Sequence, residues 1–367
     1  MKKVKFLILT MGPGETIQGV ALANYAANKG DDVALATRIK LNYRFLKKQK
    51  QQFRVYLVET EKRLKSVFEK EKPDVFVLCN SKIVRYSKHF FISPPSPKPV
   101  TVSLDSNWLF LKNEKWYSFV EWVDRYFILF PKKIFNLGLK KYGGNYNIPG
   151  HIIKKIETVG FIPSFKKIPQ NEQLEIRKKY NIGKDEKLIF SYVGGFGAGF
   201  RLWALENLIK AVSNLNQKGL KIKIILVCRR ENIKGLEKKS WLIVKELLSD
   251  KEFFSTLSSS DLVFQHQGLG TLAQAISSQI PVIANVRNIE EEPYPDHAHA
   301  WEVGPFATLN MCKMFYKNSP IENIKKAIKE LLYDKKEIEK MKKAQKKYYV
   351  SGEPNAHKII KKLLEKI

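Results

Sequence analysis

Short apolar runs alternate along this chain with stretches whose apolar residues recur at helical spacing. In the first half the runs cover residues 4–10, 33–37, 53–58, 74–79, 100–104, 125–130 and 156–161. They are continuous rather than polar–apolar alternations, which marks strands buried on both faces, as in a parallel sheet. Between them, Ile17, Val20, Ala21 and Tyr25 predict one face of a helix that ends near Gly30, and residues 62–70 predict another. A strand–helix repeat of this kind predicts an α/β domain with about seven mostly parallel strands.

The same rhythm restarts after a proline-flanked connector at 162–168. Strands are predicted at 187–193, 222–228, 241–244, 261–266 and 281–284. Leu202, Leu205, Leu208, Ile209, Val212 and Leu215 predict a long amphipathic helix, and Leu269, Leu272, Ala273 and Ile276 predict a second. Further helices are predicted over 171–180, 245–257, 324–332 and 359–367. Two domains are expected, 1–165 and 166–352, which suits 367 residues. Stretches 38–54 and 81–93 fit no period. They read as loops rich in Lys, Arg, Tyr and Phe.

Three strand-to-helix junctions are glycine turns: Gly12 and Gly14 after the first strand, 194–199 after the strand at 187–193, and Gly268 with Gly270 after the strand at 261–266. Glycine has no Cβ, so a ligand can approach the backbone there. A helix N-terminus adds unpaired N–H groups and a positive dipole end, which favour a phosphate; Thr271 sits in such a first turn. The dinucleotide fingerprint is absent, because Ile17 stands where its third glycine belongs and the next glycine is Gly19.

Lys and Arg total 65 against 36 Asp and Glu, a formal charge of +29. That excess favours anionic partners. No RNA- or DNA-binding motif accompanies it, so nucleic acid is not expected. Cys79, Cys228 and Cys312 are few and far apart, against a disulfide or zinc framework and for a reducing compartment. The apolar start, Phe6 to Leu9, is too short for a signal peptide and reads as a strand, and no run is long enough to span a membrane.

Three blocks are similar to the GT-B glycosyltransferases: MGPGETIQGVALANYAANKGDDV at 11–33, VGGFGAGFRLWALENLI at 193–209, and SSSDLVFQHQGLGTLAQAISSQIPVIANV at 258–286, followed by PDHAHA. The chain most resembles the family 28-like enzymes. Their bacterial type member moves N-acetylglucosamine from UDP-N-acetylglucosamine to a lipid-linked muramyl-peptide of the cell envelope. The resemblance implies two facing Rossmann-like domains with a cleft between them, and a C-terminal helix at about 353–367 packing back on the first domain. It implies an inverting, metal-independent hexosyl transfer. The donor would be a nucleotide-sugar, of which UDP is the expected nucleotide, and the acceptor lipid-linked or otherwise membrane-associated. The basic, aromatic stretches 38–54 and 81–93, with no spanning segment, predict a cytoplasmic protein lying peripherally on the anionic inner face of the membrane through its first domain. No cofactor is implied, since the nucleotide-sugar is a substrate.

Carried over by position, Gly194, Gly195, Gly197, Gly268, Gly270 and Thr271 would line the diphosphate. Gln274 stands where the family has a Glu on the ribose, a departure that weakens the case for UDP. Asp296 and His297 would touch the transferred sugar. On the acceptor side stand Gly12, Gly14 and Asn107, with Glu15 and Asp105 as candidate bases. Transfer needs a base for the acceptor proton and N–H dipoles or cations for the leaving diphosphate. Glu15 also reads as a first-turn carboxylate facing the helix dipole, Asp105 as a turn former, Arg201 as a diphosphate cation or a surface charge, and His266 as a donor contact or a packed histidine. No third ligand accompanies His297 and His299, and no D-x-D occurs, so no metal is expected. Two other readings share these residues: a nucleotide-sugar hydrolase or epimerase, and a non-catalytic nucleotide-sugar-binding subunit.

Overall fold

A computed structural model describes residues 3–48, 51–80, 97–106, 117–142, 148–163, 168–192, 202–228, 239–246, 248–266, 268–292 and 299–366. The chain forms two compact units: Met1–Ser164 together with Val350–Ile367, and Phe165–Tyr349.

In the first unit, β1 (Lys5–Thr10), β2 (Asp32–Thr37), β3 (Arg54–Leu57), β4 (Val75–Cys79), β5 (Val100–Asp105), β6 (Arg125–Ile128) and β7 (Ile156–Thr158) build one sheet in the order β3-β2-β1-β4-β5-β6-β7. Every pairing is parallel. In the second unit, β8 (Lys187–Tyr192), β9 (Ile222–Val227), β10 (Leu242–Lys245), β11 (Leu262–Gln265), β12 (Val282–Val286) and β13 (Lys313–Tyr316) repeat the pattern as β10-β9-β8-β11-β12-β13. Both orders reverse direction beside their first strand, between β1 and β4 and between β8 and β11. Ligands of open α/β sheets bind at such switch points, outside the carboxyl ends of the strands.

The apolar runs became strands because helices cover both faces of each sheet. β4 and β5 are buried at every position. The predicted stripe of the helix Leu202–Gln217 is met: Leu205, Leu208, Ile209, Val212 and Leu215 lie in the core of the second unit. The helix Pro13–Asn28 differs from the prediction. Of Ile17, Val20, Ala21 and Tyr25 only Ala21 is buried, and the inner face is Thr16, Gly19, Leu22, Ala23 and Ala26. Gly19 explains the rotation. An added Cβ there would stand 2.7 Å from Thr10 Cγ2 and 3.1 Å from Cys79 Sγ, so the helix lies against the sheet along its smallest residue.

Stretch 38–54, expected as a loop, contains the helix Lys40–Lys48. Only Asn42 and Leu46 are buried in it, too few to show a period, while Tyr43 and Phe45 pack partly on the core. Stretch 81–93 lies outside the described residues. The helix expected from 245 starts at Asp250 instead, capped by Ser249, whose Oγ accepts from Glu252 N at 3.2 Å. The strand β13 and the helices Lys132–Tyr142, His299–Thr308 and Lys335–Tyr348 had no counterpart in the predicted elements.

The last residues return to the first unit. Phe161 bridges Ser351, with Phe161 N donating to Val350 O at 2.8 Å. The helix Gly352–Leu364 then packs Ala356 and Ile360 into the core. Its His357 Nε2 and Lys361 Nζ each lie 2.6 Å from a carboxylate oxygen of Asp31, whose side chain is 3% exposed.

Candidate functional site

In the first unit, β1, β4 and β5 end side by side and deliver Glu15, Asn80 and Asp105. Gly12 is the N-cap of the helix Pro13–Asn28, with no side-chain cap bond, and Glu15 is the third helical residue. The Glu15 carboxylate folds back over Gly12: a Cβ on Gly12 would collide with its Oε2. Its Oε1 accepts from Asn80 Nδ2 at 2.6 Å. Gly14 is exposed, with nothing within 4 Å of an added Cβ, so packing does not require glycine there.

This turn is braced from below by polar groups that carry no periodic signal. Thr16 Oγ1 donates to Gly12 O at 2.8 Å and lies 3.0 Å from Thr10 Oγ1. Asn42, from the helix Lys40–Lys48, donates to Thr16 Oγ1 at 2.9 Å and to Met11 O at 3.1 Å. Buried polar atoms are costly unless paired, and here the pairing fixes the loop that carries Glu15.

The two candidate bases differ in setting. Asp105 is buried at 6% exposure, and Tyr126, itself fully buried, donates its hydroxyl to Asp105 Oδ2 at 2.6 Å. Glu15 is half-buried. Between them lies Cys79, whose thiol pKa is pushed far up, first by burial and then by the charges of Glu15 and Asp105. Burial leaves that thiol a poor nucleophile, and the order β1-β4-β5 sets it on the strand between the two carboxylates. Asn107 lies outside the described residues.

In the second unit, Gly268 is the N-cap of the helix Leu269–Ser277, with no side-chain cap bond. Gly270 is exposed, and nothing lies within 4 Å of an added Cβ. Thr271 follows, half-buried. His266, directly after β11, is buried and its Nδ1 lies 3.1 Å from Tyr192 O at the end of β8. A carbonyl only accepts, so Nδ1 carries the proton and His266 ties the two strands at the switch point. Gln274 is buried at 1% exposure, with its Nε2 3.4 Å from Ser277 Oγ. Gly194, Gly195, Gly197, Arg201, Asp296 and His297 lie outside the described residues.

The sequence pattern singled out Glu15, Asp105, His266 and Gly268. It passed over Asn80, Asn42, Thr16 and Tyr126. For Asn80 one signal existed, the residue type itself, since Asn adopts a left-handed backbone more readily than other non-glycine residues.

A cavity of about 440 Å³ opens at the amino ends of the central strands of the second sheet, beside Lys187, which opens β8, and Asp261, which directly precedes β11. Arg177 crosses it, donating to Asp261 Oδ2 at 3.2 Å, to Ser259 O at 3.3 Å and to Glu186 O at 2.6 Å. The helices Asp250–Ser258, Leu269–Ser277 and Ile321–Tyr333 all end there. Arg177 meets the carbonyl end of the first of these helices at Ser259, and both Arg177 and Lys187 pair with Asp261, which makes the region a brace rather than an anion site. Among the described residues no cluster of His, Cys, Asp or Glu is placed to hold a metal ion. Among them, too, no helix is long and apolar enough to cross a membrane.

No protein-family model matches the chain, and no curated protein sequence matches it. Solved structures do. S. aureus MnaA, solved with UDP, matches at a TM-score of 0.69 with 16% identity, over 100% of this chain and 98% of that one. MurG of Acinetobacter baumannii matches at 0.60 with 12% identity, over 98% and 100%. A Listeria monocytogenes protein assigned as a UDP-N-acetylglucosamine 2-epimerase matches at 0.64 with 15% identity, over 97% and 94%. Several further matches are glycosyltransferases. At such identities a likeness speaks for architecture: the chain has the GT-B fold, each of its two units a Rossmann-like domain, and in that fold it resembles the GT-B glycosyltransferases, MurG among them.

Proposed function

We propose that this chain is an inverting, metal-independent glycosyltransferase that moves a hexose from a nucleotide-sugar, with UDP as nucleotide, to a lipid-linked or other membrane-associated acceptor. The observation that carries this reading is the contrast between the two switch points. The first unit gathers carboxylates at its strand ends, Glu15 and Asp105. The second presents a glycine-led helix start with no side-chain cap, which suits a diphosphate.

In the reaction so read, Glu15 takes the proton of the acceptor hydroxyl. The acceptor oxygen forms a bond to the anomeric carbon from the face opposite the diphosphate, and the sugar–diphosphate C–O bond breaks. The leaving charge falls on the N–H groups of Gly268, Gly270 and Thr271, and, by the family resemblance, on Gly194, Gly195, Gly197 and Arg201. Asp296 and His297 would hold the sugar. Glu15 is preferred to Asp105 because it is half-buried, while Asp105 is buried and already holds the Tyr126 hydroxyl. Gln274, by the family resemblance, would face the ribose, where an amide can accept one hydrogen bond from a hydroxyl.

Gly270→Val tests the donor side. The structure has open space at that Cβ, so the variant is expected to fold, and the branched side chain would then occupy the diphosphate position. UDP affinity, read by titration calorimetry, is expected to fall at least about tenfold, or about 1.4 kcal/mol. Unchanged affinity removes the diphosphate from this turn.

The membrane side of the proposal is supported by the outer face of the helix Lys40–Lys48, where Lys40, Arg44, Lys47 and Lys48 are exposed beside Leu41, 52% exposed. Each such cation adds about 1 kcal/mol near an anionic surface, screened by salt. Flotation with phosphatidylglycerol vesicles should show binding that weakens with salt and is absent for neutral vesicles. Binding that ignores both lipid charge and salt excludes this attachment. The epimerase-assigned match keeps one other reading open: UDP-N-acetylglucosamine hydrolysed or epimerised without acceptor would establish it.

A further inference from the structure

We propose that Asn80 is a positioning residue, which anchors one oxygen of the Glu15 carboxylate so that the other, Oε2, is the edge offered to the acceptor. The inference rests on the reading of Glu15 as the base.

Five non-glycine residues have positive φ among those described: Lys72, Asn80, Asn181, Gln279 and Asn310. Four of them directly follow a helix, at Glu61–Glu71, Gln170–Lys179, Leu269–Ser277 and His299–Thr308, or stand within two residues of its end. Left-handed residues are routine there, because they close the last turn. Asn80, at φ 102°, follows a strand instead. It ends β4, at the point where the sheet order reverses.

Glycine would adopt this backbone without penalty, as Gly30, Gly160 and Gly219 do. At position 80 the chain keeps a side chain at some cost in backbone strain, of a kind that persists where the surroundings over-determine it. The surroundings are visible. Asn80 N donates to Leu104 O at 2.8 Å, which pins the backbone to β5. The side chain then reaches Glu15, sixty-five residues away in sequence, at 2.6 Å. A carboxylate only accepts, so the amide nitrogen must face it, and Oε1 is occupied. Gly12 supplies the room for Oε2, since any Cβ there would displace it. Gly12, Glu15 and Asn80 thus define one another's positions.

The test compares Asn80→Gly, Asn80→Asp, Glu15→Gln, Asp105→Asn and the double variant Glu15→Gln/Asn80→Gly in the full chain. The readout is UDP release from UDP-N-acetylglucosamine in the presence of a bacterial membrane-lipid extract. Asn80→Gly removes the amide and relieves the backbone, so its melting temperature should equal or exceed that of the parent. Its kcat should fall about tenfold with the donor KM unchanged. Asn80→Asp should be worse than Asn80→Gly, because it sets a second carboxylate against Glu15. Glu15→Gln should lose about a hundredfold or more, and adding Asn80→Gly to it should cost nothing further. A fully active Asn80→Gly beside an inactive Glu15→Gln overturns the proposal. A fully active Glu15→Gln, with Asp105→Asn inactive, overturns the reading of the base instead.

Positioning is then decided without turnover, by the crystal structure of Asn80→Gly, which also decides it if the lipid extract holds no acceptor. A Glu15 carboxylate displaced from Gly12 supports the anchor, and one that has not moved overturns it.

Discussion

Asp31→Ala is expected to destabilise the first unit by about 3 kcal/mol, the scale of breaking a buried ion pair from one side. Three groups lose their partner at once: His357 Nε2, Lys361 Nζ and Val4 N, which donates to Asp31 Oδ1 at 3.2 Å. His357 is largely buried, stacked 6.0 Å from Phe6 and edge-on to Tyr25 at 5.5 Å, so it cannot turn to water without unpacking. Lys361 is more exposed and will recover part of its hydration, which holds the figure near the lower end of the range. Urea unfolding measures it, and a loss below about 0.5 kcal/mol would show that the helix Gly352–Leu364 is held by its apolar face alone.

The same group fixes a pH dependence. Burial by itself would raise the Asp31 pKa, but the bonds from His357, Lys361 and Val4 N outweigh it and hold the carboxyl below its ordinary 3.8. A carboxyl depressed on folding stabilises the fold fully above its unfolded pKa, and that contribution is lost as pH falls through the folded value. The parent should therefore lose stability below about pH 4 more steeply than Asp31→Ala does.

Gly19→Val is expected to cost about 3 kcal/mol, and Gly19→Ala about 1–2. The added Cβ meets Thr10 Cγ2 at 2.7 Å, Cys79 Sγ at 3.1 Å and Ile8 Cγ2 at 3.3 Å, atoms that belong to the central strands β1 and β4. None is the far end of a flexible side chain, so the helix must lift. Alanine regains about 1 kcal/mol in helix propensity, which offsets part of the clash; valine regains less and adds two methyl groups. Lifting the helix also stretches the bond between Thr16 and Thr10, which braces the Glu15 turn. Thermal and urea denaturation read the first effect, and Gly19→Ala more stable than the parent would refute the close approach.

Gly19 also shows where sequence reading stopped. The strands were legible because their burial is two-sided and their apolar runs unbroken, as in β4 and β5. The long helix Leu202–Gln217 was legible because seven of its residues are buried on one face. The helix Pro13–Asn28 showed the wrong face, because apart from Leu22 its contact is made by a glycine, a threonine and alanines, which hydrophobicity ranks low. The helices Lys40–Lys48 and Lys335–Tyr348 bury two residues each, one of them an amide in both cases, Asn42 and Gln345. An amide at the core contributes nothing to an apolar count. In the site, Glu15 and Asp105 were found from their places at strand ends. Asn80 and Tyr126 were not, because their roles rest on side-chain contacts to other elements, 65 and 21 residues away, that no local pattern announces.

The return of residues 350–367 to the first unit makes the second an insertion within the first. During synthesis the second unit can leave the ribosome whole, whereas the first has its sheet in place but not the helix that carries His357 and Lys361. At about 5–20 residues per second, the intervening chain takes on the order of 10–40 s to make. Over that interval Phe6, Tyr25 and the Asp31 carboxylate lack their cover. The surface that later receives the last helix is thus a ready substrate for chaperones. Releasing the nascent chain before residue 350 should yield a protease-resistant second unit attached to a protease-sensitive first one.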